Sequence, residues 1–452
     1  MAAARPARAR PAPLPRSPHQ PSGPTPHSVT ARGDVAMSTS AASQSATSMP
    51  KVLNAHPVDP AAGISTKEEL RNHLIQAAAV EMQTIPMYLY AGYSIAGQGT
   101  SRWSPGMSAQ RLIRSIVIEE MLHLCLVRNL LVAIGCGDQV KFYDVNFMPD
   151  YPEYMLHRHP ALLLTLQRCT KDLVRNVFMA FERPDPALGE SPAPEGQYQT
   201  IGQFYESVRK GVEKLNGDPN ANLWGSNRPE MQYVSAYWNK DGGGSPMLIK
   251  DYATAETALK VIVEQGEGAK TGQHTVPIDP VNPKAGLDEL PHHTKFQRIA
   301  DGIEPIGPIW NVPDDPQFFM YEENETADAL SKLFNAAYCY VLHLIDVLYE
   351  TSGADVRPGS ASERWKLERM FISAMQGVLA NIAEIMVALP LGPDPFGGTE
   401  ELQMAPTFQY VELPETGKRQ HLIDLCDKAI THAPQLGGDN SVRWLLAKMP
   451  DV

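Results

Sequence analysis

The chain of 452 residues is 43% hydrophobic, which is enough to form one large domain or two medium-sized ones. Its formal net charge of −12 argues against nucleic acid as a partner. No apolar run reaches the length that a bilayer span requires, so we expect a soluble protein that does not bind membranes. The five cysteines are scattered, without a C-x-x-C pair, and therefore predict reduced thiols in the cytoplasm.

The N-terminal residues 1–55 differ in composition from the rest of the chain. They are rich in Pro, Ala, Ser and Arg, with Asp34 as their one acidic residue. Such a segment cannot bury a core, so we predict that it is disordered. Alternative explanations are an organellar transit peptide, for which Pro is too frequent, and a misplaced start, with Met37 or Met49 as the true initiator.

The first long helix is predicted to begin at a double capping box and to continue to about Ile95. Ser65 with Glu68 and Thr66 with Glu69 both have the capping-box spacing. Glu81 lies in the middle of this helix, in a weakly polar run. Pro86 follows it and predicts a kink, which marks a site or results from packing alone.

The second predicted helix, residues 111–134, carries the strongest chemical signal. Its apolar residues recur at the spacing of a buried helical face. Glu120 and His123 lie within that face, three residues apart and therefore on the same side of the helix. Burying them is costly unless a partner offsets the lost hydration, and a metal ion is one such partner. The alternative is a core histidine paired with Glu119, one turn away.

Further helices are predicted from the same periodicity, separated by irregular connections. A Gly/Pro-rich loop over 268–290 precedes the short helix that begins at His292. We find no Gly-rich phosphate loop and no nucleophile elbow. The other predicted helices after the second span residues 161–181, 200–215, 253–266, 326–349, 362–389, 418–432 and 441–448.

Acidic residues and histidines set within apolar helices are typical of di-metal carboxylate proteins. These combine one Glu from each of two helices with a Glu-x-x-His from each of two others. Here Glu81 and Glu206 are candidates for the single carboxylates. The second Glu-x-x-His is less clear, since Glu289 and His292 have the spacing but Pro291 lies between them. We therefore prefer Glu267 with His292 for that half.

Several segments resemble, in order, the ferritin-like domain family named after iminophenylpyruvate dimer synthase, a violacein-pathway enzyme. These segments, with two later ones, cover about residues 65–410. They are LIQAAAVEMQTIPMYLYAGYSI, IEEMLHLCLVRNLLVAIG, FMAFERPDP, TIGQFYESV, IVEQGEG and HHTKFQRI, followed by AEIMVALPLG and MAPTFQY.

The resemblance implies an all-α, ferritin-like helix bundle with a non-haem metal centre, additional C-terminal helices and long irregular loops. We place this domain at 56–415 and a C-terminal helical extension at 416–452. Glu182 is a spare candidate for the third carboxylate, and His293 an equal substitute for His292. The long insert between Gly268 and His292 departs from the family. The implied metal ligands are Glu81, Glu120, His123, Glu206, Glu267 and His292.

Four carboxylates and two imidazoles suit two iron ions, with manganese as the alternative, and zinc is less favoured without a thiolate. The resulting hypothesis is an oxidase or oxygenase that uses O₂ on a small amino-acid-derived metabolite. A second hypothesis is imine-type oxidative coupling of two such units. A third is a non-catalytic iron-handling or scaffold protein with an inherited bundle.

Overall fold

The computed structural model describes residues 49–58, 63–97, 107–186, 189–234, 244–267, 290–353, 362–393 and 398–452. Over this part of the chain the fold is all-α, as predicted, with two short antiparallel strand pairs. Glu289, nearly all of the loop before His292 and residues 1–48 lie outside the described residues.

The first seven helices contain the two long helices at the centre of the fold. They are α1 Val52–Ala55, α2 Lys67–Ser94, α3 Met107–Ala133, α4 Lys171–Leu173, α5 Met179–Phe181, α6 Ile201–Asn216 and α7 Tyr252–Gly266. A π-helical segment, Val174–Phe178, joins α4 to α5. The strands in this half are β1 Glu153–Tyr154 and β2 Leu163–Leu164, which pair with each other.

The remaining helices are α8 His292–Ala300, α9 Glu325–Glu350, α10 Glu363–Ser373, α11 Ala380–Val387, α12 Lys418–Ile430 and α13 Val442–Leu446. Of these, α8 contacts α3 and α7, α11 contacts α2, and α9 contacts α10, α11 and α12. A second π-helical segment, Ala374–Leu379, joins α10 to α11, and β3 Pro390–Pro393 pairs with β4 Glu401–Gln403.

Helix α2 begins at the predicted capping box. The Thr66 hydroxyl accepts a hydrogen bond from the Glu69 amide at 3.1 Å, and the Glu69 carboxylate accepts one from the Thr66 amide at 2.9 Å. The helix continues through Pro86 without interruption. Because α2 and α3 are buried over most of their length, the polar side chains at their centres, including Glu81, Glu120 and His123, lie inside the protein.

Two predictions of local structure were wrong. Residues 161–170 are not helical, because Leu163–Leu164 form β2 and the helix begins only where the Thr170 hydroxyl caps the Leu173 amide at 3.1 Å. Residues 52–55, assigned to the disordered segment, form helix α1, and Val52 is buried in the main core.

The C-terminal helices share the core of the rest of the protein. Leu422, Cys426 and Leu446 belong to the same cluster of buried apolar residues as α2 and α3. The residues assigned to a C-terminal extension therefore pack as part of the main unit, with α12 against α9.

One helix among the described residues is long and apolar enough to cross a membrane. This is Glu363–Val387, with a mean hydropathy of 1.5, whose apolar stretch is 39% buried. The expectation that no apolar run reaches such a length was therefore wrong. A core helix of a soluble protein meets the same criteria, so a single such helix is weak support for a membrane span.

Helix α9 is tied to the segment after α3 by a buried carboxylate. Asp346 accepts hydrogen bonds from the amides of Phe142 and Tyr143, each at 3.0 Å. The guanidinium of Arg128 lies 3.9 Å away, and it is buried as well.

We expect Asp346→Ala to destabilise the protein by about 3 kcal/mol or more, because it leaves the amides of Phe142 and Tyr143 without their acceptor and a buried guanidinium without its nearby negative charge. Urea unfolding measures the change. Asp328→Ala on the same helix is the matched control. Its ion pair with Lys332 lies at the surface, so its loss should cost less than about 1 kcal/mol. Equal effects of the two variants would contradict this assignment.

Candidate metal centre

Five buried side chains that can bind metal come together where α2 and α3 meet the short helices α5 and α8. Glu81 lies on α2, and Glu120 and His123 lie on α3. Glu182 follows the last residue of α5, and His292 is the first residue of α8. All five are at most 3% exposed.

These side chains form two groups that share one carboxylate. The His123 trio consists of Glu81, Glu120 and His123, and the His292 trio consists of Glu120, Glu182 and His292. Within each trio the potential ligand atoms lie within 4.8 Å of one another. Two adjacent sites with a carboxylate in common are the arrangement expected of a di-metal centre.

Glu120 presents a different oxygen to each histidine. Its Oε2 atom is 3.9 Å from His123 Nδ1, and its Oε1 atom is 2.7 Å from His292 Nδ1. The outer carboxylates complete the pattern, with Glu81 Oε2 at 3.3 Å from His123 Nδ1 and Glu182 Oε1 at 3.6 Å from His292 Nδ1. Both imidazoles therefore point Nδ1 into the cluster.

The crowding of charges shifts the pKa values of the cluster. Burial, and then the charge of Glu182, raise the pKa of Glu120 to about 8. Burial lowers the pKa of His292, but the carboxylates of Glu182 and Glu120 outweigh it and hold that pKa well above its ordinary value. Burial also lowers the pKa of His123, but the carboxylate of Glu81 outweighs this effect and raises that pKa above its ordinary value. Without another cation, the cluster must retain protons to limit its negative charge.

The residues present fit a pair of divalent ions. The Nδ1 atom of His292 is buried and makes no hydrogen bond of acceptable geometry, although two carboxylates lie near it. Such an atom has the position and the lone pair of a metal ligand. Carboxylate and imidazole ligands without a thiolate suit iron or manganese.

Hydroxyl groups hold each carboxylate in place. Tyr205 of α6 donates to Glu81 Oε1, and Thr84 of α2 donates to Glu120 Oε2 at 2.9 Å. Tyr88 of α2 donates to Glu182 Oε1 at 2.6 Å. These bonds fix which oxygens remain available in the cluster.

The structure does not bring Glu206 to this cluster. Its side chain is 45% exposed and pairs with Arg209 at 2.8 Å and with Lys210 at 3.6 Å. The neighbouring Tyr205 occupies the inward position, since successive residues of a helix point about 100° apart. Glu182, named as the spare candidate, supplies the third carboxylate of the described cluster instead.

Glu267 also lies outside both trios. Its carboxylate accepts a hydrogen bond from the amide of Gly202 at 2.6 Å, at the beginning of α6. A Cβ atom at Gly202 would lie only 2.2 Å from that carboxylate, so glycine permits the close approach. Burial raises the pKa of Glu267 to about 7.

Of the two candidate histidines, His292 rather than His293 points into the cluster.

The partner of Glu119 also differs from the predicted one, because Glu119 pairs with residues of α8 instead of His123. Its Oε2 atom lies 2.9 Å from His292 Nε2 and 2.5 Å from Lys295 Nζ. Lys295 went unrecognised in the sequence, although it lies three residues after His292 and so on the same face of α8.

A protein-family model described as Ferritin-like matches residues 74–301, which include all five clustered side chains. This chain belongs to the ferritin-like family. The match covers half of the chain and confirms the resemblance seen in the sequence segments. The ferritin-like fold class is confirmed with it.

Two curated relatives are similar to this ferritin-like chain at low identity. Dichlorochromopyrrolate synthase of Lentzea aerocolonigenes is 24% identical over an alignment of 396 positions, which covers 76% of this chain and 37% of the relative. The 2-imino-3-(indol-3-yl)propanoate dimerase of Chromobacterium violaceum is 23% identical over an alignment of 379 positions, which covers 75% of this chain and 34% of the relative. The chain thus spans about a third of the length of these relatives.

A solved structure is also similar, that of a ferritin-like protein from Caulobacter vibrioides. Its sequence is 21% identical, and the match covers 71% of this chain and 96% of that chain with a TM-score of 0.47.

The two candidate third carboxylates can be distinguished by metal content. After anaerobic reconstitution with iron(II), we expect the wild type to hold about two ions per chain. Glu182→Ala should lower that content because it removes a ligand of the His292 trio, whereas Glu206→Ala should leave it unchanged. Elemental analysis measures both. Loss of metal from Glu206→Ala alone would contradict the geometry described here.

The raised pKa of Glu267 predicts a dependence of stability on pH. A carboxyl group with a folded-state pKa near 7 stabilises the fold fully below pH 4.5 and loses that contribution as the pH rises towards 7. Glu267→Gln cannot ionise. Relative to wild type, it should therefore gain roughly 1–3 kcal/mol between pH 5 and pH 8.

Urea unfolding of the chelator-treated protein measures this difference. Glu206→Gln is the control, because its ion pair with Arg209 lowers the pKa of Glu206 and its effect should stay level over the same range. Parallel pH curves for Glu267→Gln and wild type would show that Glu267 is not perturbed.

Proposed function

We propose that this chain is an oxidoreductase that uses two metal ions, iron in the working enzyme, to oxidise a small amino-acid-derived metabolite with O₂. The observation that carries the proposal is the pair of buried trios joined by Glu120. Membership of the ferritin-like family supports it, and so do the enzyme names of both relatives.

The ions would be held by the His123 trio and the His292 trio, with Glu120 between them. Bound iron would accept electrons from the metabolite and pass them to O₂. The chain itself keeps this region dry, since every side chain of the two trios is buried. In such a setting electrostatic interactions are stronger than in water, so the orientation of each carboxylate matters.

A pocket between α6 and α7 offers a route for the substrate. Its volume is about 1110 Å³, which is large enough for a small metabolite. Tyr198, Tyr205, Leu259 and Val263 line it. Since Tyr205 also donates to Glu81, one side chain contacts both the pocket and the cluster.

Glu267 would act as the proton acceptor of this pocket. Its carboxylate lines the cavity, and burial raises its pKa to about 7. A group with that pKa takes and releases protons near neutral pH, as general acid–base catalysis requires. The Gly202 amide holds the carboxylate in position at 2.6 Å.

A second candidate reaction is the oxidative coupling of two imine units derived from amino acids. The relative from Chromobacterium violaceum is named a dimerase of an indolyl imino acid, which favours this reaction over simple oxygenation. The pocket is wide enough to admit more than one small molecule. The five cysteines are buried and unpaired, which supports action in the cytoplasm.

Oxygen uptake by iron-reconstituted protein tests the proposal. With a panel of aromatic amino acids and their keto and imino acids, at least one compound should raise uptake well above the substrate-free rate. Mass spectrometry of the product then separates the two reactions, because coupling gives a dimer. Glu120→Ala should abolish the uptake, since it removes the shared carboxylate of both trios.

Asp328→Ala serves as the control and should retain activity, because Asp328 pairs with Lys332 at the surface of α9 and does not line the pocket. Failure of the wild type to bind iron or manganese would overturn the proposal. Iron uptake and oxidation without any substrate dependence would instead identify an iron-handling protein.

A further inference from the structure

We propose that the two metal positions are unequal, so that the His292 trio binds its ion first and more tightly than the His123 trio. The cause is that the two histidines have unlike hydrogen-bond partners, Glu119 and Gln265. This inference rests on the metal centre of the proposed function. It goes beyond that function because it concerns the order of binding and the residues that set it.

The outer carboxylates of the two trios have matched surroundings. Glu81 accepts a hydrogen bond from the Tyr205 hydroxyl, and Glu182 accepts one from the Tyr88 hydroxyl. Glu120 is common to both trios. Two differences remain: the Thr84 hydroxyl donates to Glu120 Oε2, on the side of His123, and the two histidines have different partners.

His292 is held by a charged partner. Its Nε2 atom donates to Glu119 Oε2 at 2.9 Å, and the ammonium of Lys295 contacts the same oxygen at 2.5 Å. All three side chains are at most 1% exposed. A carboxylate on the outer nitrogen fixes the tautomer with the Nδ1 lone pair directed inward and makes the imidazole a stronger donor.

His123 is held by a neutral partner. Its Nε2 atom lies 3.0 Å from the amide oxygen of Gln265, a half-buried residue near the end of α7. An amide oxygen fixes the tautomer but strengthens the donor less than a carboxylate does. The Nδ1 atom of each histidine lies near a carboxylate of the cluster, at 3.3 Å from Glu81 Oε2 for His123 and at 2.7 Å from Glu120 Oε1 for His292, so these contacts do not distinguish the two positions. The neutral partner on Nε2 makes the His123 trio the weaker position.

Titration of the metal-free protein with cobalt(II) under nitrogen tests the inference, with visible absorption and calorimetry as readouts. The wild type should show a tight phase and a weaker phase of equal amplitude. His292→Ala should remove the tight phase, and His123→Ala should retain it. These outcomes need no enzymatic activity.

Two isosteric variants test the partners. Glu119→Gln should weaken the tight phase by about 10- to 100-fold. Gln265→Glu should tighten the weaker phase and bring the two phases closer, because it gives His123 a carboxylate partner. Glu264→Gln is the matched control on α7, since Glu264 pairs with Lys260 at the surface, and it should change neither phase.

The ordering would be overturned by a single phase in the wild type, or by equal weakening of both phases in Glu119→Gln. If Glu119→Gln fails to fold, as judged by circular dichroism, Gln265→Glu still decides, because no change or a loss of affinity in the weaker phase contradicts the proposal. A wild type that binds no cobalt, iron or manganese at all would refute the proposed function itself.

Discussion

The burial of the Glu120 carboxylate between two other carboxylates is the constraint on which the rest of the structure depends. Like charges in an apolar interior repel strongly and attract cations strongly, because little water is present to screen them. Within the described residues, the ammonium of Lys295 and the protons of two histidines are the positive groups packed nearest this cluster. The fold therefore places its largest electrostatic cost where two divalent ions would remove it.

The supporting elements follow from that constraint. Two long helices, α2 and α3, provide a rigid interior from which Glu81, Glu120 and His123 project at fixed spacing. The other two ligands come from helix ends, where backbone direction changes. Glu182 follows α5 and His292 begins α8. Both side chains can therefore point towards α2 and α3, and neither requires a helix that runs past the cluster. Hydroxyls from α2 and α6 then fix the carboxylates.

The difference between ligands in helix interiors and ligands at helix ends explains how much of the site could be predicted from the sequence. The all-α fold and the helix-interior residues Glu81, Glu120 and His123 follow from apolar periodicity, because a polar residue within a buried stripe is conspicuous. Glu182 lies just after a short helix, where periodicity carries no information. The choice between Tyr205 and Glu206 depended on one step of helix rotation, and the contact of Glu119 with Lys295 joins residues far apart in the chain, which no local pattern reports.

The two faces of α2 and α3 give the buried centre different surroundings on its two sides. Met82 and Met121 directly follow Glu81 and Glu120, and they point the other way, into an apolar cavity of about 130 Å³ lined by α9 and α10. The C-terminal helices thus cover the cluster from behind with side chains that offer no ligand and little polarity. A molecule that approaches from the pocket between α6 and α7 instead meets Tyr205 and Glu267. Because Tyr205 lines that pocket and donates to Glu81, the pocket reaches the cluster through a polar side chain, whereas the cavity on the opposite face presents apolar ones.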